Sequence, residues 1–161
     1  MTFYYGVASI AHIKLLAREV VKGLGGNENV YRQMMGTNAT ETHCGQYPDD
    51  NPEKLGVGLY QHDNIRIIDI QKEGEQRHFD IVKKLWGYDI PTIKLADLAY
   101  DPLLSTICAR LGYKRIPAAC PDTLVEQSVY WKKYWNTYAK NAKGTPEHYL
   151  DSVEKFLGSD W

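Results

Sequence analysis

Apolar residues recur every three to four positions in several stretches of the chain, the spacing that places them on one face of a helix. The first such stretch ends at Gly25-Gly26 and predicts a helix over about residues 8–24. Its apolar positions are Ile10, Ile13, Leu16, Ala17, Val20, Val21 and Leu24. A second helix is expected from about Asn29 toward Glu41, although Gly36 weakens its pattern.

Two further helices are predicted in the middle of the chain. Residues 76–86 place Phe79, Val82, Leu85 and Trp86 on one side, and Gly87 ends the pattern. Asp101-Pro102 combines an N-cap with a proline at the first helical position. A helix should therefore run from there to about residue 111, with Gly112 after it.

The last third of the chain contains two more helix starts. Thr123 with Glu126 three residues later forms a capping box, which predicts a helix to about Tyr138. Thr145-Pro146 begins the last helix, which should end near Leu157.

The segment between Gly45 and Gly58 is rich in Gly, Pro, Asp and Asn and predicts a loop. Strand signals are few elsewhere, and 161 residues fit one domain with one core. We therefore predict a mainly α, single domain over residues 1–161, with at most a small β element near residues 45–62.

Composition excludes some functions. Hydrophobic residues make up 43% and charged residues 24% of the chain, as in ordinary soluble domains, and a net charge of −1 gives nucleic-acid binding no support. The three cysteines are odd in number and not closely paired, which argues against a disulfide framework or a zinc ribbon. No basic leader precedes an apolar run, and no apolar stretch is long enough to cross a membrane, so we expect synthesis in a cytosol and no membrane insertion.

The stretch that indicates chemistry begins at Glu41, a carboxylic acid at the end of a predicted helix and before a polar loop. The segment Gly58-Leu59-Tyr60-Gln61 follows it. A Glu with an apolar wall on one side has a raised pKa, so it can still donate a proton near neutral pH. Glycines allow backbone to approach a bound chain closely. The alternative is a structural Glu beside an ordinary glycine turn.

Other residues near this loop have both a structural and a functional interpretation. His43, Cys44 and His62 are residue types that bind zinc, but their spacing matches no standard zinc pattern. We expect them to be structural, with no metal and no cofactor. A nucleophilic His43–Cys44 pair is a second alternative, although adjacent residues usually point their side chains apart.

The order of several motifs resembles the soluble lytic transglycosylase and goose-type lysozyme group. In that group a catalytic Glu closes a helix, and Gly-Leu-Met-Gln follows about twenty residues later. Here Gln61 follows Glu41 by 20 residues, Tyr60 replaces the Met, and Thr42 replaces the usual Ser. Asp101-Pro102 and the late aromatic–Asn segment, residues 130–137, continue the resemblance.

Three segments more specifically resemble phage-encoded lysozyme-like proteins: Arg115-Ile-Pro, residues 130–137 (Tyr-Trp-Lys-Lys-Tyr-Trp-Asn-Thr) and Lys143-Gly-Thr-Pro. The resemblance covers about residues 29–157 in patches. It implies an endolysin or a virion-associated enzyme with a lysozyme-like fold. Such a protein would be a monomer, made in the host cytoplasm and then released to the cell wall in the periplasm or carried in the virion.

The resemblance also implies roles for individual residues. The partner would be peptidoglycan, cleaved between N-acetylmuramic acid and N-acetylglucosamine with Glu41 as the acid and then the base. The sugar at the cleavage point would contact Gly58, Tyr60 and Gln61. Substrate would be positioned from the opposite wall by Tyr134 and Asn136.

The mechanism has alternatives. A lytic transglycosylase needs one acidic residue, whereas hydrolytic lysozymes usually need a second carboxylate. Asp50, nine residues after Glu41, resembles the acidic pair of another group of phage lysozymes, and Asp63 is a further candidate. We favour the transglycosylase, because the Thr expected near position 56 is Gly and the acidic run also fits a turn. A non-enzymatic virion protein that binds glycan on a lysozyme-like fold is the third possibility.

Overall fold

The structure, a computed structural model, describes residues 1–49, 56–137, 143–159 and 161. These ranges contain seven α-helices. They are α1 (Ile10–Leu24), α2 (Glu28–Thr42), α3 (Asn64–Glu73), α4 (Gln76–Trp86), α5 (Pro102–Lys114), α6 (Leu124–Tyr134) and α7 (Pro146–Phe156). Two short 3-10 turns, Ile90–Thr92 and Leu95–Leu98, precede α5. One isolated antiparallel bridge joins Val57 and His62 within the described ranges. The mainly α class is confirmed.

Side-chain caps explain where most of these helices begin. The Asp101 carboxylate accepts a hydrogen bond from the Leu104 N–H at 3.0 Å. The hydroxyls of Thr123 and Thr145 accept from the backbone N–H three residues later, each at 3.2 Å. These caps satisfy N–H groups that have no partner within the helix. The three helix starts predicted from capping signals are confirmed.

The predicted ends of α5 and α6 need correction. α5 continues through Gly112 to Lys114, so this glycine lies inside the helix and does not terminate it. α6 ends at Tyr134, where the N–H groups of Trp135 and Asn136 both donate to the Trp131 carbonyl. The predicted end at Tyr138 falls outside the described residues.

Helix α2 lies at the centre of the fold. It packs against α1, α6 and α7, while α5 packs against α1 and α3. At Gly36 a Cβ would lie 2.0 Å from the Tyr149 hydroxyl oxygen, so only glycine allows α7 to approach this closely. The buried side chains from Tyr5 to Val153 form one hydrophobic cluster around α2. None of the helices in the described ranges has the length and apolarity needed to cross a membrane.

Candidate active site

Glu41 lies in the last turn of α2, half-buried. Its Oε1 accepts a hydrogen bond from the indole Nε1 of Trp131 at 3.3 Å. Trp131 belongs to α6 and is 1% exposed, and its ring packs against Tyr149 of α7. The carboxyl group is therefore oriented by a side chain that two other helices hold in place.

A tight turn covers residues 58–61. The N–H of Gln61 donates to the Gly58 carbonyl at 3.0 Å, and the Val57–His62 bridge closes the turn. Gly58 has a φ of +78°, and a Cβ there would lie 2.4 Å from the Leu98 carbonyl oxygen. Both the left-handed backbone and the close approach require glycine at this position.

The end of α2 holds this turn directly. Asn38 donates from Nδ2 to the Leu59 carbonyl at 3.0 Å, and the Thr42 hydroxyl donates to the same oxygen at 2.9 Å. From the other side, the Ser105 hydroxyl of α5 accepts from the Tyr60 N–H at 3.3 Å. The segment from Glu41 to Gln61 therefore returns the chain to the turn of α2 that carries the acid.

Gln61 and Tyr60 differ in what they can reach. The Gln61 side chain is half-buried, and its Nε2 donates to the Gly58 carbonyl at 3.0 Å. Tyr60 is 0% exposed and lies in the core, where burial raises the pKa of its phenol. Tyr60 therefore cannot contact the sugar as the resemblance implies. The core takes a Tyr where the resembled family has a Met.

Asn136 and Tyr134 lie in different surroundings. Asn136 accepts from the Lys132 ammonium at 2.8 Å and lies beside Gly144. A Cβ at Gly144 would lie 2.5 Å from Cη2 of Trp131, so the ring that bonds Glu41 at one edge approaches the Asn136 region at the other. Tyr134 instead lines a cavity with residues of α3 and α5. The two residues implied as one wall are thus not grouped together.

Asp63, a candidate second carboxylate, has a structural role. Its Oδ1 accepts from the Arg66 N–H at 2.8 Å, which makes it the N-cap of α3. The other candidate, Asp50, lies outside the described residues.

The His43, Cys44 and His62 side chains each have a structural environment. His43 ends α2 in the left-handed conformation, and its ring stacks on Phe156 at 4.4 Å. Burial raises the pKa of the Cys44 thiol to about 12, so it is not a nucleophile at neutral pH. His62 is fully buried, and its Nε2 lies 2.8 Å from the Ser105 carbonyl oxygen. Among the described residues, no three His, Cys, Asp or Glu side chains are grouped to hold a metal ion.

The dense aromatic segment of α6 is mostly core. Tyr130, Trp131 and Trp135 are buried, and only Tyr134 is partly exposed. Trp135 lies just after the helix and stacks on Tyr113 of α5 at 4.7 Å. Trp131 was not singled out from the sequence, because nothing local marks the partner of an acid that is 90 residues away.

No family model matches the chain, and no curated protein and no solved structure is significantly similar to it. The function is therefore inferred from the site itself. Its members are an acid at a helix end, the indole that bonds it, a glycine turn and a nearby amide.

Proposed function

We propose that the protein cleaves the bond between N-acetylmuramic acid and N-acetylglucosamine in peptidoglycan, as a lytic transglycosylase with Glu41 as its single acid–base residue. The observation that carries the proposal is the hydrogen bond from Trp131 to Glu41, beside the turn of residues 58–61. General acid catalysis requires an acid held in one orientation, and this arrangement supplies it.

The proposed reaction uses the carboxyl group of Glu41 twice, first as an acid and then as a base. Glu41 protonates the glycosidic oxygen, the bond to the anomeric carbon of N-acetylmuramic acid breaks, and N-acetylglucosamine leaves with a free hydroxyl. The substrate's own N-acetyl oxygen supports the electron-poor anomeric carbon. The 6-hydroxyl of the same sugar then attacks that carbon and returns its proton to Glu41, which leaves an anhydro-sugar and restores the acid.

The surroundings of Glu41 suit this cycle. The carboxyl end of a helix disfavours negative charge, and half-burial removes part of the solvent that would stabilise it. The indole N–H can donate to Oε1 whether Glu41 is neutral or charged, because that oxygen can accept a hydrogen bond in both states. Gly58 is buried and packs against the Leu98 carbonyl, so it shapes the turn and does not itself contact a glycan as the resemblance implies. The half-buried Gln61 is the residue of the turn that a glycan can reach, and Asn136 offers an amide on the far side of Trp131.

Hydrolysis by a pair of carboxylates is the alternative reaction. Of its two candidate second carboxylates, Asp63 is already bonded as the cap of α3, so the alternative would depend on Asp50. A glycan-binding virion protein without activity would have no use for an oriented acid.

A mass spectrum of the fragments released from purified peptidoglycan tests the proposal. We expect anhydro-muramyl ends, one water lighter than reducing ends, from the wild type and none from Glu41→Gln. Glu154→Gln, the same change on the exposed face of α7, is the matched control and should cleave normally. Reducing ends would contradict the transglycosylase and favour hydrolysis. No fragments from a folded wild type would favour the non-enzymatic protein.

A further inference from the structure

A cavity of about 210 Å³ lies between α3, α5 and the end of α6. Its polar lining comes from Arg66 and Asp69 of α3 and from Arg115, which follows α5. Tyr134 and Trp135 form its aromatic side. The hydrogen bond between Glu41 and Trp131 includes none of these residues.

Gly112 lines this cavity, and its lack of a side chain provides part of the space. It lies inside α5, where glycine weakens a helix. A Cβ there would lie 3.3 Å from Cδ of Arg66 and 3.6 Å from Cζ3 of Trp135. A larger residue would therefore press on Arg66, contact Trp135 and reduce the space beside them.

The charges of the lining are predominantly positive. Arg66 is 9% exposed, its guanidinium lies 3.6 Å from the centre of the Trp135 ring, and it donates to the Trp135 carbonyl at 3.0 Å. Arg115 donates from Nε to Asp69 at 3.0 Å. The lining thus contains two guanidinium groups and one carboxylate.

We propose that this cavity binds the carboxylate of a small organic ligand through Arg115. Within the described residues Arg115 uses only Nε for its hydrogen bond, so both terminal amino groups can donate to the ligand. A guanidinium matches a carboxylate with two parallel hydrogen bonds. Tyr134 and the apolar Ile65 and Ile116 contact the body of the ligand.

The size of the cavity limits that ligand. It is smaller than the roughly 300 to 1,000 Å³ typical of drug-sized ligands, so it suits a single sugar or amino-acid residue. Peptidoglycan carries carboxylates of both kinds, on the lactyl group of muramic acid and on its peptides. This choice of sources rests on the proposed function, whereas the carboxylate site itself does not depend on Glu41.

Isothermal titration calorimetry on the full chain tests the site with three probes. N-acetylmuramic acid and N-acetylglucosamine differ by the lactyl carboxylate, and N-acetyl-D-alanine supplies a carboxylate without a sugar. We expect the acid sugar or the acetylated amino acid to bind at least tenfold more tightly than N-acetylglucosamine. The tighter of the two identifies the source, and a shifted Gly112 amide signal in nuclear magnetic resonance places the ligand in the cavity.

Variants separate this site from general charge effects. Arg115→Gln should weaken carboxylate binding at least tenfold. Arg115→Lys should weaken it less, since lysine keeps the charge but not the two parallel donors of a guanidinium. Arg77→Gln makes the same charge change on exposed α4 and should bind as the wild type does. Gly112→Ala should also weaken binding, without any change of charge. Full binding by a folded Arg115→Gln, or tighter binding of inorganic phosphate than of either carboxylate, would overturn the proposal.

Glu41→Gln distinguishes the two proposals. It should retain carboxylate binding while losing peptidoglycan cleavage. If the wild type cleaves nothing but binds the carboxylate, the proposed function fails and the site stands. If it cleaves peptidoglycan but no carboxylate reaches the cavity, the site fails and the function stands.

Discussion

Trp131 connects the two halves of the candidate site. Its Nε1 bonds Glu41, while Cη2 lies close to Gly144, beside Asn136. The residue is buried and cannot itself reach substrate through its ring face, so it acts as a positioning residue. Its importance for activity should therefore lie in the N–H group and less in the ring.

Trp131→Phe should lower kcat roughly tenfold, equivalent to about 1.4 kcal/mol, with little change in KM. The change keeps an aromatic ring in the core but removes the donor that orients Glu41. Steady-state cleavage of peptidoglycan measures both constants, with Trp86→Phe on α4 as the matched control. An unchanged kcat in a folded Trp131→Phe protein would show that the indole N–H does not serve the acid.

Gly36→Ala should destabilise the protein by about 1 to 3 kcal/mol, the range for overpacked cores. Alanine favours a helix by itself, but its Cβ at this position would clash with Tyr149, so α7 would have to move away. The free energy of unfolding in urea measures the effect. Gly112→Ala, also a glycine within a helix but with no atom nearer than 3.3 Å to its added Cβ, is the control and should lose less. A Gly36→Ala protein as stable as the wild type would contradict the close helix contact.

At the scale of elements, the last turn of α2 contributes to the candidate site in two ways. It presents Glu41, and through Asn38 and Thr42 it fixes the Leu59 carbonyl of the adjacent turn. The Thr42 hydroxyl also accepts from the Gly45 N–H at 3.2 Å, so it ties the loop after the helix as well. Thr42 thus bonds both the glycine turn and the loop that follows the helix.

Thr42→Val should reduce activity several-fold and stability by about 1 to 3 kcal/mol, because it leaves the buried Gly45 N–H without its acceptor and removes one of the two side-chain donors to the Leu59 carbonyl. Thr42→Ser keeps the hydroxyl and should remain close to the wild type. Peptidoglycan cleavage and urea unfolding of both variants provide the measurements. Equal losses in the two variants would show that the methyl group matters and the hydrogen bonds do not.

The element pattern also shows what local sequence can predict. The starts of α5, α6 and α7 can be predicted because each N-cap and its partner lie within four residues. Asp63 caps α3 in the same way, but no proline or glutamate follows it to strengthen the signal. α3 was not predicted, since its isoleucines have no clean helical period: Ile67 and Ile70 are buried, whereas Ile65 and Ile68 are exposed. The sequence predicts that Gly112 follows the end of a helix, whereas its real constraint is the space beside Arg66, which depends on tertiary packing.

For the whole molecule, the limit of prediction lies in contacts between distant segments. Glu41 and the glycine turn could be proposed because their order and spacing resemble those of a known group of enzymes. The burial of Tyr60 and the separation of Tyr134 from Asn136 could not, because they depend on how α2, α5 and α6 pack. Trp131 belongs to the same class, since its contact with Glu41 exists only once α6 lies against α2.

The whole fold also creates an acid-sensitive group at His62. Its ring is enclosed by the core, with Ser105 at one nitrogen and Trp135 at 5.7 Å between ring centres. The pKa of His62 is lowered to about 3, mainly by burial and also by the nearby Arg66 guanidinium. The ring is therefore neutral in the native protein at any pH at which the fold is expected to persist.

Acidification should consequently destabilise the protein through His62. An unfolded histidine has a pKa near 6.5, so between about pH 6.5 and pH 3 the unfolded chain binds a proton that the native state does not. Lowering the pH from 7 to 5 should cost about 2 kcal/mol of unfolding free energy from this residue. His62→Gln retains an amide nitrogen that can donate to the Ser105 carbonyl but binds no proton. Urea unfolding at pH 7 and pH 5 should show a smaller loss in the variant by that amount, because the other titrating groups are common to both proteins. An identical loss in the two proteins would mean that the His62 ring gains its proton within the native fold.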